Sequence, residues 1–355
     1  MAISEIDKYA IKAYYALHDK NIPNLGDISK IKVEDIPEHD LFTYSYPCQS
    51  LSVAGKQEGM IKGKTRSGLL YECEKIIEHC RPKYLLLENV KNLIGKKFKP
   101  QFDEWLDYLE SLGYTSYWKI LNAKDYGVPQ NRERVFVVSI LGDHKPYKFA
   151  DKIPLDKCIA DVLEDEVNEK YYINKSFHLT NKRHQAELDT KGMDCIKSYI
   201  EYKGKQIELP CIGASRGRNP KNPSSRIPGE PTEQRLEINT KGISNTITTV
   251  QKDNYIIEPK IICEQRCDEG LRFFKDNVCG TIRAKDSGGD KRIIEYTYGI
   301  RKLTPRECFR LMGLKDDDID KIQQAGISNA QQYKMAGNSI VVDVLEAIFR
   351  NLFLD

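Results

Sequence analysis

The sequence has no long apolar segment, little net charge and no leader-like start. No apolar run approaches the ~20 residues that a membrane-spanning helix needs. The first residues include Glu5 and Asp7 but no apolar core, so a secretory signal is not expected there. The chain has 55 Lys and Arg against 52 Asp and Glu, and the net charge of +3 does not by itself indicate nucleic acid. Such a partner would require a local basic surface.

The ten cysteines of this 355-residue chain are expected to be reduced thiols in the cytoplasm, because no secretory signal accompanies them. Cys263, Cys267 and Cys279 lie near one another in sequence, yet no fourth ligand stands at a standard zinc spacing. We therefore expect no metal site. With 40% hydrophobic residues, the chain can form two folded domains.

Helical and strand patterns alternate over residues 1–141. Helices are predicted over 7–20, 67–80 and 102–112, and strands over 40–46, 83–87 and 134–141. This alternation predicts a parallel α/β sheet, in which ligands bind past the carboxyl ends of the strands. Cys48 and Glu88 each follow a predicted strand, so chemistry is expected there. Thr304 and Glu307 form a capping box, and Pro305 suits the first helical position, so another helix is predicted to begin there. Residues 339–353 are predicted to form an amphipathic helix.

The pattern changes between residues 142 and 300. Residues 216–235 combine four prolines with five lysines or arginines and two glutamates, which predicts a basic, loop-rich surface or an ordinary solvated loop. Residues 246–258 and 281–295 form a faint repeat, because both run Thr-Ile, Lys-Asp and Ile-Ile-Glu. The repeat is either a duplicated recognition hairpin or two similar strand–turn–strand units.

Four short motifs follow one another along the chain. They are Pro47-Cys48-Gln49-Ser50, Glu88-Asn89-Val90, Gln130-Asn131-Arg132-Glu133-Arg134 and Gly337-Asn338-Ser339. In this order, the motifs supply a cysteine nucleophile, a carboxylic acid, two guanidinium groups and a glycine-bounded turn. The arrangement resembles that of the DNA cytosine-5 methyltransferases of bacterial and phage restriction–modification systems. The resemblance covers about residues 3–140 and 298–355, and the region between matches the family's DNA-reading region by position only.

The resemblance implies an α/β fold with a Rossmann-like, SAM-dependent methyltransferase sheet and a smaller, loop- and strand-rich DNA-recognition domain. The implied segments are a catalytic and cofactor-binding domain (1–150), a target-recognition domain (151–297) and a return segment (298–355) whose last helix packs on the catalytic domain. The implied reaction moves a methyl group from S-adenosyl-L-methionine to carbon 5 of a cytosine flipped out of duplex DNA, in the cytoplasm.

Cytosine carbon 5 is a poor nucleophile until a thiolate adds at carbon 6, and Cys48 is the predicted nucleophile. Glu88 is the predicted acid at N3, and its apolar strand is expected to raise its pKa. The resemblance places Arg134 against the cytosine O2 and Arg132 near the thiol, where a positive charge lowers the thiol pKa. The alternatives are a buried structural cysteine, a helix-capping pair at Glu88 and a surface ion pair of Arg134 with Glu133.

The resemblance also implies binding residues. Glu5 matches the acidic residue that binds ribose hydroxyls, and residues 51–66 match the mobile loop that closes over the flipped base. The predicted cofactor contacts are Glu5, Asp27, Ile28, Pro47, Leu69, Asn338 and Ser339. The predicted DNA contacts are Gln49, Ser52, Gln130, Arg216, Arg218, Arg226, Thr246 and Thr281.

The sequence departs from the family pattern in one respect. A strand and a glycine-rich F-x-G-x-G turn normally precede the acidic ribose residue by ~20 residues or more, and this sequence contains no such turn. Three explanations for the missing strand and turn are open. The start is misassigned, a second polypeptide supplies the strand, or the chain is a truncated, inactive DNA-binding remnant. A tRNA cytosine-5 methyltransferase is an alternative function, although a variable region of ~150 residues favours sequence reading on DNA.

Overall fold

The computed structural model describes residues 1–18, 20–46, 66–173, 184–187, 197–202, 205–222, 224–225, 230–249, 254–266, 270–272 and 294–354. The chain divides into a first unit of Met1–Asp156 with Phe309–Asp355 and a second unit of Lys157–Cys308. Within the described ranges, no helix has the length and apolar character to cross a membrane.

The first unit is built on a mixed four-stranded sheet in the order β1-β2-β4-β3. The strands are β1 (Leu41–Tyr44), β2 (Tyr84–Val90), β3 (Tyr114–Asn122) and β4 (Glu133–Leu141). β1 and β2 run parallel, whereas β4 runs antiparallel to both β2 and β3. The predicted parallel arrangement is therefore wrong for β4. A short connection joins β3 to β4, and short connections suit antiparallel neighbours because a parallel pair needs a longer crossover.

Six helices lie within the first unit's described residues. They are α1 (Lys8–Leu17), α2 (Leu70–Cys80), α3 (Lys99–Ser111), α5 (Asp316–Gln324), α6 (Asn329–Asn338) and α7 (Val342–Phe353), with α4 (Pro305–Arg310) preceding α5 where the two units meet in sequence. Asp7 caps α1 by accepting a hydrogen bond from the Tyr9 N–H. α7 begins at Val342 rather than residue 339, because Ser339 caps the end of α6 and Val341 is extended.

Apolar residues at helical spacing on α2 and α3 pack with the sheet to form the core of the first unit. Eight of its members are at most 1% exposed: Ile77, Leu85, Leu87, Leu93, Phe102, Leu109, Val135 and Val137. Burial of such a side chain contributes roughly 1.5–3 kcal/mol. The core therefore fixes β2 and β4, which are the strands that carry Glu88 and Arg134.

The described residues of the second unit form two antiparallel sheets and short 3-10 helices. One has the strands β5 (His184–Glu187), β6 (Lys197–Tyr202) and β7 (Lys205–Glu208), and the other has β8 (Cys211–Arg218), β9 (Glu233–Asn239), β10 (Tyr255–Arg266), β11 (Gly270–Arg272) and β12 (Ile294–Lys302). Arg216 and Arg218 lie in β8, paired along β9. The prediction of a loop over 216–235 is therefore wrong at both ends, because β8 and β9 form a regular ladder there.

The capping box predicted at the start of α4 is confirmed. The Thr304 N–H donates to Glu307 Oε2, and the Glu307 N–H donates to Thr304 Oγ1. Pro305 is the first residue of the helix, where its missing N–H costs nothing.

Candidate active site

Glu88 lies inside β2 and not past its end. β2 continues to Val90, and Glu88 pairs with Phe136 on β4. The strand predicted from the apolar run ends at residue 87, three residues too early, because the ladder with β4 extends β2 through the polar positions Glu88 and Asn89. Glu88 is only 8% exposed, so its carboxyl group depends on protein partners rather than on water.

Two side chains satisfy the Glu88 carboxyl. Arg134 Nε lies 3.1 Å from Glu88 Oε1, and the Ser45 hydroxyl donates to Oε2 at 3.3 Å. Burial raises the pKa of Glu88, while the charges of Arg134 and Arg132 and the Ser45 hydrogen bond act in the opposite direction. Because burial is the largest effect, Glu88 has the direction of pKa shift expected of an acid that retains its proton.

Arg134 pairs with Glu88 rather than with the carboxylate of its neighbour. The Glu133 carboxylate binds Lys91, with Nζ–Oε2 at 2.9 Å. Arg134 Nη1 instead donates to the Glu133 backbone carbonyl at 2.8 Å. The surface ion pair considered from the sequence is therefore not the arrangement that forms.

Arg132 reaches a different part of the unit. Its Nη2 donates to the carbonyl oxygens of Gly337 at 3.0 Å and Ser339 at 2.7 Å. These carbonyls stand at the C-terminal end of α6, where no further turn of helix supplies N–H donors, and a positive charge is favourable there. Arg132 therefore caps α6 and fixes the glycine-bounded turn.

One pocket lies beside both arginines. Its walls are Leu121, Ala123, Arg132, Arg134, Phe136, Ile340, Val341 and Val344. The pocket is thus bounded by β3, β4 and the chain between α6 and α7. It brings both predicted guanidinium groups to one concave, largely apolar place, where their charges are less screened than on an open surface.

Asn89 ties β2 to the chain that leads into the cysteine motif. Its Nδ2 donates to the Tyr46 carbonyl oxygen at 3.1 Å, and it is 1% exposed. This hydrogen bond fixes the chain that follows β1 against β2. Among the predicted site residues before Arg66, the following lie outside the described residues: Pro47, Cys48, Gln49 and Ser52.

The structure does not place Gln130 where the predicted DNA contact requires it. Its side chain is fully buried, and its Nε2 donates to the Leu311 carbonyl oxygen. A buried amide that already binds backbone has no surface to offer to DNA in this structure. Gln130 instead orients the chain that leads into β4.

Asn24 forms hydrogen bonds with the backbone near both predicted cofactor residues at the start of the chain, Glu5 and Asp27. Glu5 Oε1 accepts hydrogen bonds from two backbone N–H groups, those of Ile6 and Asp7, each at 2.7 Å. Asn24 Oδ1 accepts from the N–H groups of Glu5 and Gly26, and Asn24 Nδ2 donates to the Glu5 carbonyl oxygen. Sequence analysis missed Asn24, although an asparagine two residues before a glycine is a turn signal.

Asn24 thereby joins Glu5 to the turn that carries Asp27. Gly26 has φ +77°, which favours glycine. Asp27 Oδ1 accepts from the Ser29 N–H and hydroxyl, and Ile28 packs against the core. Glu5 and Asp27 are thus brought to one small, internally bonded surface.

An ion pair links this N-terminal surface to α6. Lys334 Nζ lies 2.6 Å from Asp7 Oδ2, and its hydrogen bond is the largest of the causes that lower the pKa of Asp7. Lys334 is one helical turn before Asn338, which is exposed at the end of α6. Leu69 is half-buried just before α2, on a separate segment of the chain.

Two of the predicted DNA contacts in the second unit, Arg216 and Arg218, lie on β8. Arg218 forms a two-pronged ion pair with Glu237, with Nη2–Oε2 at 2.7 Å, and Arg216 lies opposite Arg235. Thr246 is half-buried, and its carbonyl accepts from another side chain. The remaining two predicted contacts lie outside the described residues: Arg226 and Thr281.

Comparison with known proteins identifies the family. The model of the C-5 cytosine-specific DNA methylase family matches residues 1–354. The type II methyltransferase M2.ScrFI of Lactococcus lactis subsp. cremoris is 38% identical over 331 residues, which cover 93% of this chain and 71% of that protein. The orphan methyltransferase M.SPBetaI of Bacillus phage SPbeta is 32% identical over 435 aligned positions, covering 99% of this chain and 91% of the phage protein.

Solved structures agree on the fold. The Entamoeba histolytica methyltransferase EhMeth aligns with a TM-score of 0.59 at 19% identity, covering 100% of this chain and 89% of that one. The predicted family and fold class are confirmed. The chain belongs to the C-5 cytosine-specific DNA methylases, and it is an enzyme that methylates carbon 5 of cytosine in DNA.

Proposed function

We propose that this enzyme acts on cytosine in duplex DNA through a covalent adduct on Cys48, with Glu88 as the acid. The observation that carries the proposal is the ion pair between the buried Glu88 and the half-buried Arg134, with Oε1 and Nε 3.1 Å apart. The neighbouring Asn89 holds Tyr46, which stands two residues before Cys48 in sequence. The tether supports a nucleophile beside the acid.

In the first step, the Cys48 thiolate forms a bond to carbon 6, and the electrons of the C5–C6 double bond move toward N3. The Glu88 carboxyl donates its proton to N3. This leaves the Glu88 carboxylate beside Arg134, whose charge stabilises it. Carbon 5 of the resulting enamine can now attack an electrophile.

S-adenosyl-L-methionine, which methyltransferases of this kind use in general, supplies the electrophilic methyl group when bound. Carbon 5 would form the new bond to that methyl group as the methyl–sulfur bond breaks and the sulfur leaves as a neutral thioether, and water would then take the proton from carbon 5. The C5–C6 double bond re-forms as the Cys48 thiolate leaves, and N3 returns its proton to Glu88. The residues of this chain therefore end each cycle unchanged.

The residues at the N-terminal surface fit the proposed cofactor. Two backbone N–H groups orient the Glu5 carboxylate, and an oriented carboxylate is the group that accepts hydrogen bonds from ribose hydroxyls. We assign Asp27, Ile28 and Leu69 to the adenosine side. Asn338 and Ser339 stand at the turn that Arg132 caps, and we assign them to the same cofactor.

We further propose that the enzyme is the modification half of a bacterial or phage restriction system and that the second unit contains the target-recognition domain. The support is the similarity to a protein named as a type II methyltransferase. Bisulfite sequencing of DNA from cells that express the enzyme tests this proposal. Methylation within one short sequence motif is expected, and scattered methylation without a motif contradicts it.

A methyl-transfer assay with labelled S-adenosyl-L-methionine tests the chemistry. Duplex DNA is expected to accept methyl groups, tRNA is not, and Cys48→Ser is expected to abolish transfer while retaining duplex binding, because phosphate contacts supply most of that affinity. Cys211→Ser is a matched control at a buried cysteine of the second unit. Normal turnover by Cys48→Ser, or transfer to tRNA alone, contradicts the proposal.

A further inference from the structure

The chain that leaves β1 stays in register with β2 after the backbone ladder ends. The last pair of the parallel ladder is Tyr44 opposite Leu87, so the next position in the same register sets Ser45 opposite Glu88. There the Ser45 hydroxyl donates to Glu88 Oε2 at 3.3 Å. A side-chain hydrogen bond thus continues the register at the position of the proposed acid.

The residues on either side of Ser45 fix its position. Tyr44 and Tyr46 are 8% and 3% exposed and belong to the core of the first unit. The Tyr44 hydroxyl accepts from Trp105 Nε1 at 3.2 Å, and the Tyr46 carbonyl oxygen accepts from Asn89 Nδ2 at 3.1 Å. Because side chains alternate in an extended chain, the two buried tyrosines turn Ser45 away from that core.

Glu88 points to the same side of the sheet as Ser45. Its neighbour Leu87 belongs to the core, so the alternation along β2 directs Glu88 away from that core. Arg134 reaches the carboxyl from β4, and its Nε lies 3.1 Å from Oε1. The carboxyl of Glu88 is therefore held from two sides, by Arg134 at Oε1 and by Ser45 at Oε2.

The two oxygens of this carboxyl differ in their chemistry. A guanidinium group has donors and no acceptor, so a proton on Oε1 would oppose the N–H of Arg134. A hydroxyl is both donor and acceptor, so Oε2 can carry a proton beside Ser45. The proton that Glu88 gives to N3 in the proposed reaction therefore belongs on Oε2, the oxygen that Ser45 contacts.

We propose that Ser45 is a positioning residue, which directs Glu88 Oε2 toward N3 of the cytosine and stabilises the carboxylate that remains after the proton has left. The inference rests on the proposed function, because it requires Glu88 to be the acid. In the step itself, the O–H bond at Oε2 breaks and N3 gains the proton, while the Ser45 hydroxyl donates to the oxygen that has become negative. A hydrogen bond to an ionised oxygen is stronger than one between neutral groups.

Charged groups around Glu88 set the background for this effect. Burial raises the pKa of Glu88, and the charges of Arg134 and Arg132 lower it, as does the Ser45 hydrogen bond. The two arginines keep their charge at every pH of an assay. In the proposed reaction Cys48 must lose a proton, whereas Glu88 must retain one. Removal of the Ser45 hydroxyl therefore changes the ionisation of Glu88 in one direction, toward retention of its proton.

The test measures steady-state methylation of duplex DNA by the full chain as a function of pH. Ser45→Ala removes the hydroxyl, Ser45→Thr retains it, and Ser45→Val has the shape of threonine without the hydroxyl. Thr43→Ala is the matched control, because Thr43 is an exposed hydroxyl residue on the same face of β1 but lies opposite Leu86. Glu88→Gln identifies the part of the profile that depends on Glu88, since an amide does not titrate there.

Ser45→Ala and Ser45→Val are expected to lower the plateau of kcat about 3- to 10-fold, because a hydrogen bond to the reacting carboxyl is lost. The pH at which kcat falls on the alkaline side should move upward by about 0.5–1 pH unit, since the hydrogen bond favours the ionised carboxyl. KM for duplex DNA should stay constant. Ser45→Thr and Thr43→Ala should both retain the wild-type profile.

A double-variant comparison separates action through Glu88 from general stabilisation. In a Glu88→Gln background, Ser45→Ala should not lower kcat further. An equal fold loss in both backgrounds, an alkaline side that does not move or moves downward, or wild-type kcat at every pH overturns the Ser45 proposal alone. Normal turnover by Glu88→Gln, or absence of methyl transfer in the wild-type enzyme, overturns the proposed function instead.

Discussion

Among the residues that the structure describes, two buried glutamates pair with an arginine in different surroundings. In the first unit, Glu88 pairs with Arg134 through one Nε–Oε1 contact of 3.1 Å. In the second unit, Glu307 pairs with Arg301 through two parallel contacts of 2.8 and 2.9 Å. Both glutamates are buried, at 8% and 0% exposed. The same two residue types thus form two different kinds of site.

The difference lies in the number of donors around each carboxylate. Glu307 also accepts hydrogen bonds from the N–H groups of Thr304 and Glu164, and Arg301 binds Glu258 in addition. These bonds join separate segments of the second unit, so the pair acts as a structural lock. A fully satisfied carboxylate of this kind is suited to holding segments together.

Glu88 has fewer donors in the described part of the chain. It accepts from Arg134 and Ser45, and burial raises its pKa despite both. A carboxyl group with a raised pKa retains its proton to a higher pH and can donate it to a substrate. In our proposal, burial alone does not make an acid: the smaller number of donors leaves Glu88 available for the reaction, whereas the donors around Glu307 hold segments together.

The largest expected effect separates the two glutamates by activity. Glu88→Gln retains the shape of the side chain but removes the transferable proton, so kcat should fall by about 10²–10⁴. Glu307→Gln should leave kcat per folded molecule within about 3-fold of the wild type. Steady-state methylation kinetics measure both, with the folded fraction determined by circular dichroism. Equal losses in the two variants would remove the distinction between them.

The next effect separates the two arginines by stability. Arg301→Met leaves Glu307 and Glu258 buried without their main partner, so the free energy of unfolding should fall by about 3–5 kcal/mol. Arg134→Met should cost less, since burial already favours a protonated Glu88. Urea unfolding of both variants measures this difference. A larger loss for Arg134→Met contradicts the interpretation of Arg301 as the lock.

A substitution of Arg132 tests whether this arginine has a structural role. Arg132→Met leaves the carbonyls of Gly337 and Ser339 without their donor, and we expect a loss of about 1–3 kcal/mol in stability. The affinity for S-adenosyl-L-methionine should fall as the turn loosens, while duplex affinity should not. Calorimetric titration and urea unfolding measure these effects. A variant with normal cofactor affinity and lowered kcat alone would assign Arg132 to the reaction instead.

A smaller effect is the pH dependence that Glu88 gives to stability. Its pKa is raised above the ordinary value of 4.5, so the folded protein holds this proton more tightly than the unfolded chain does. The stabilisation is complete below the unfolded pKa and is lost as pH rises through the folded pKa. Each pH unit between the folded and unfolded pKa values corresponds to about 1.4 kcal/mol. Glu88→Gln should flatten this dependence, and an unchanged pH profile of stability contradicts the assignment.

The smallest effect concerns Asn24. Asn24→Ala removes the hydrogen bonds that join Glu5 to the Asp27 turn, and each such bond is worth about 0.5–1.5 kcal/mol. The Kd for S-adenosyl-L-methionine should rise about 5- to 10-fold, while kcat at saturating cofactor should stay constant. Asn351→Ala is the control, because Asn351 also donates to a backbone carbonyl. Equal effects of the two variants would make Asn24 a general stabiliser only.

Sequence patterns predicted local features well. The capping box at Thr304 and the apolar spacing of α2 depend on residues within a few positions of one another, so the chain itself displays them. The raised pKa of Glu88 followed from its apolar strand. β3 was missed because it is an edge strand whose exposed positions, including Trp118 and Lys119, obscure the apolar alternation.

Features that depend on distant residues were not predicted. Arg132 binds carbonyls more than 200 positions away in sequence, and Arg218 meets Glu237 only through the register of β8 and β9. Asn24 acts on Glu5 across a fold of the chain. No local pattern encodes these partners, because they arise when tertiary packing brings segments together.

The most direct test of the account is covalent trapping on duplex DNA that contains 5-fluorocytosine at the target position. Fluorine at carbon 5 cannot leave as a proton, so the thiolate remains bound to carbon 6. The wild-type enzyme with S-adenosyl-L-methionine should form an adduct that survives denaturation, Glu88→Gln should form it far more slowly, and Cys48→Ser should form none. An adduct of normal yield on Cys48→Ser, or one formed by Glu88→Gln at the wild-type rate, would contradict the account.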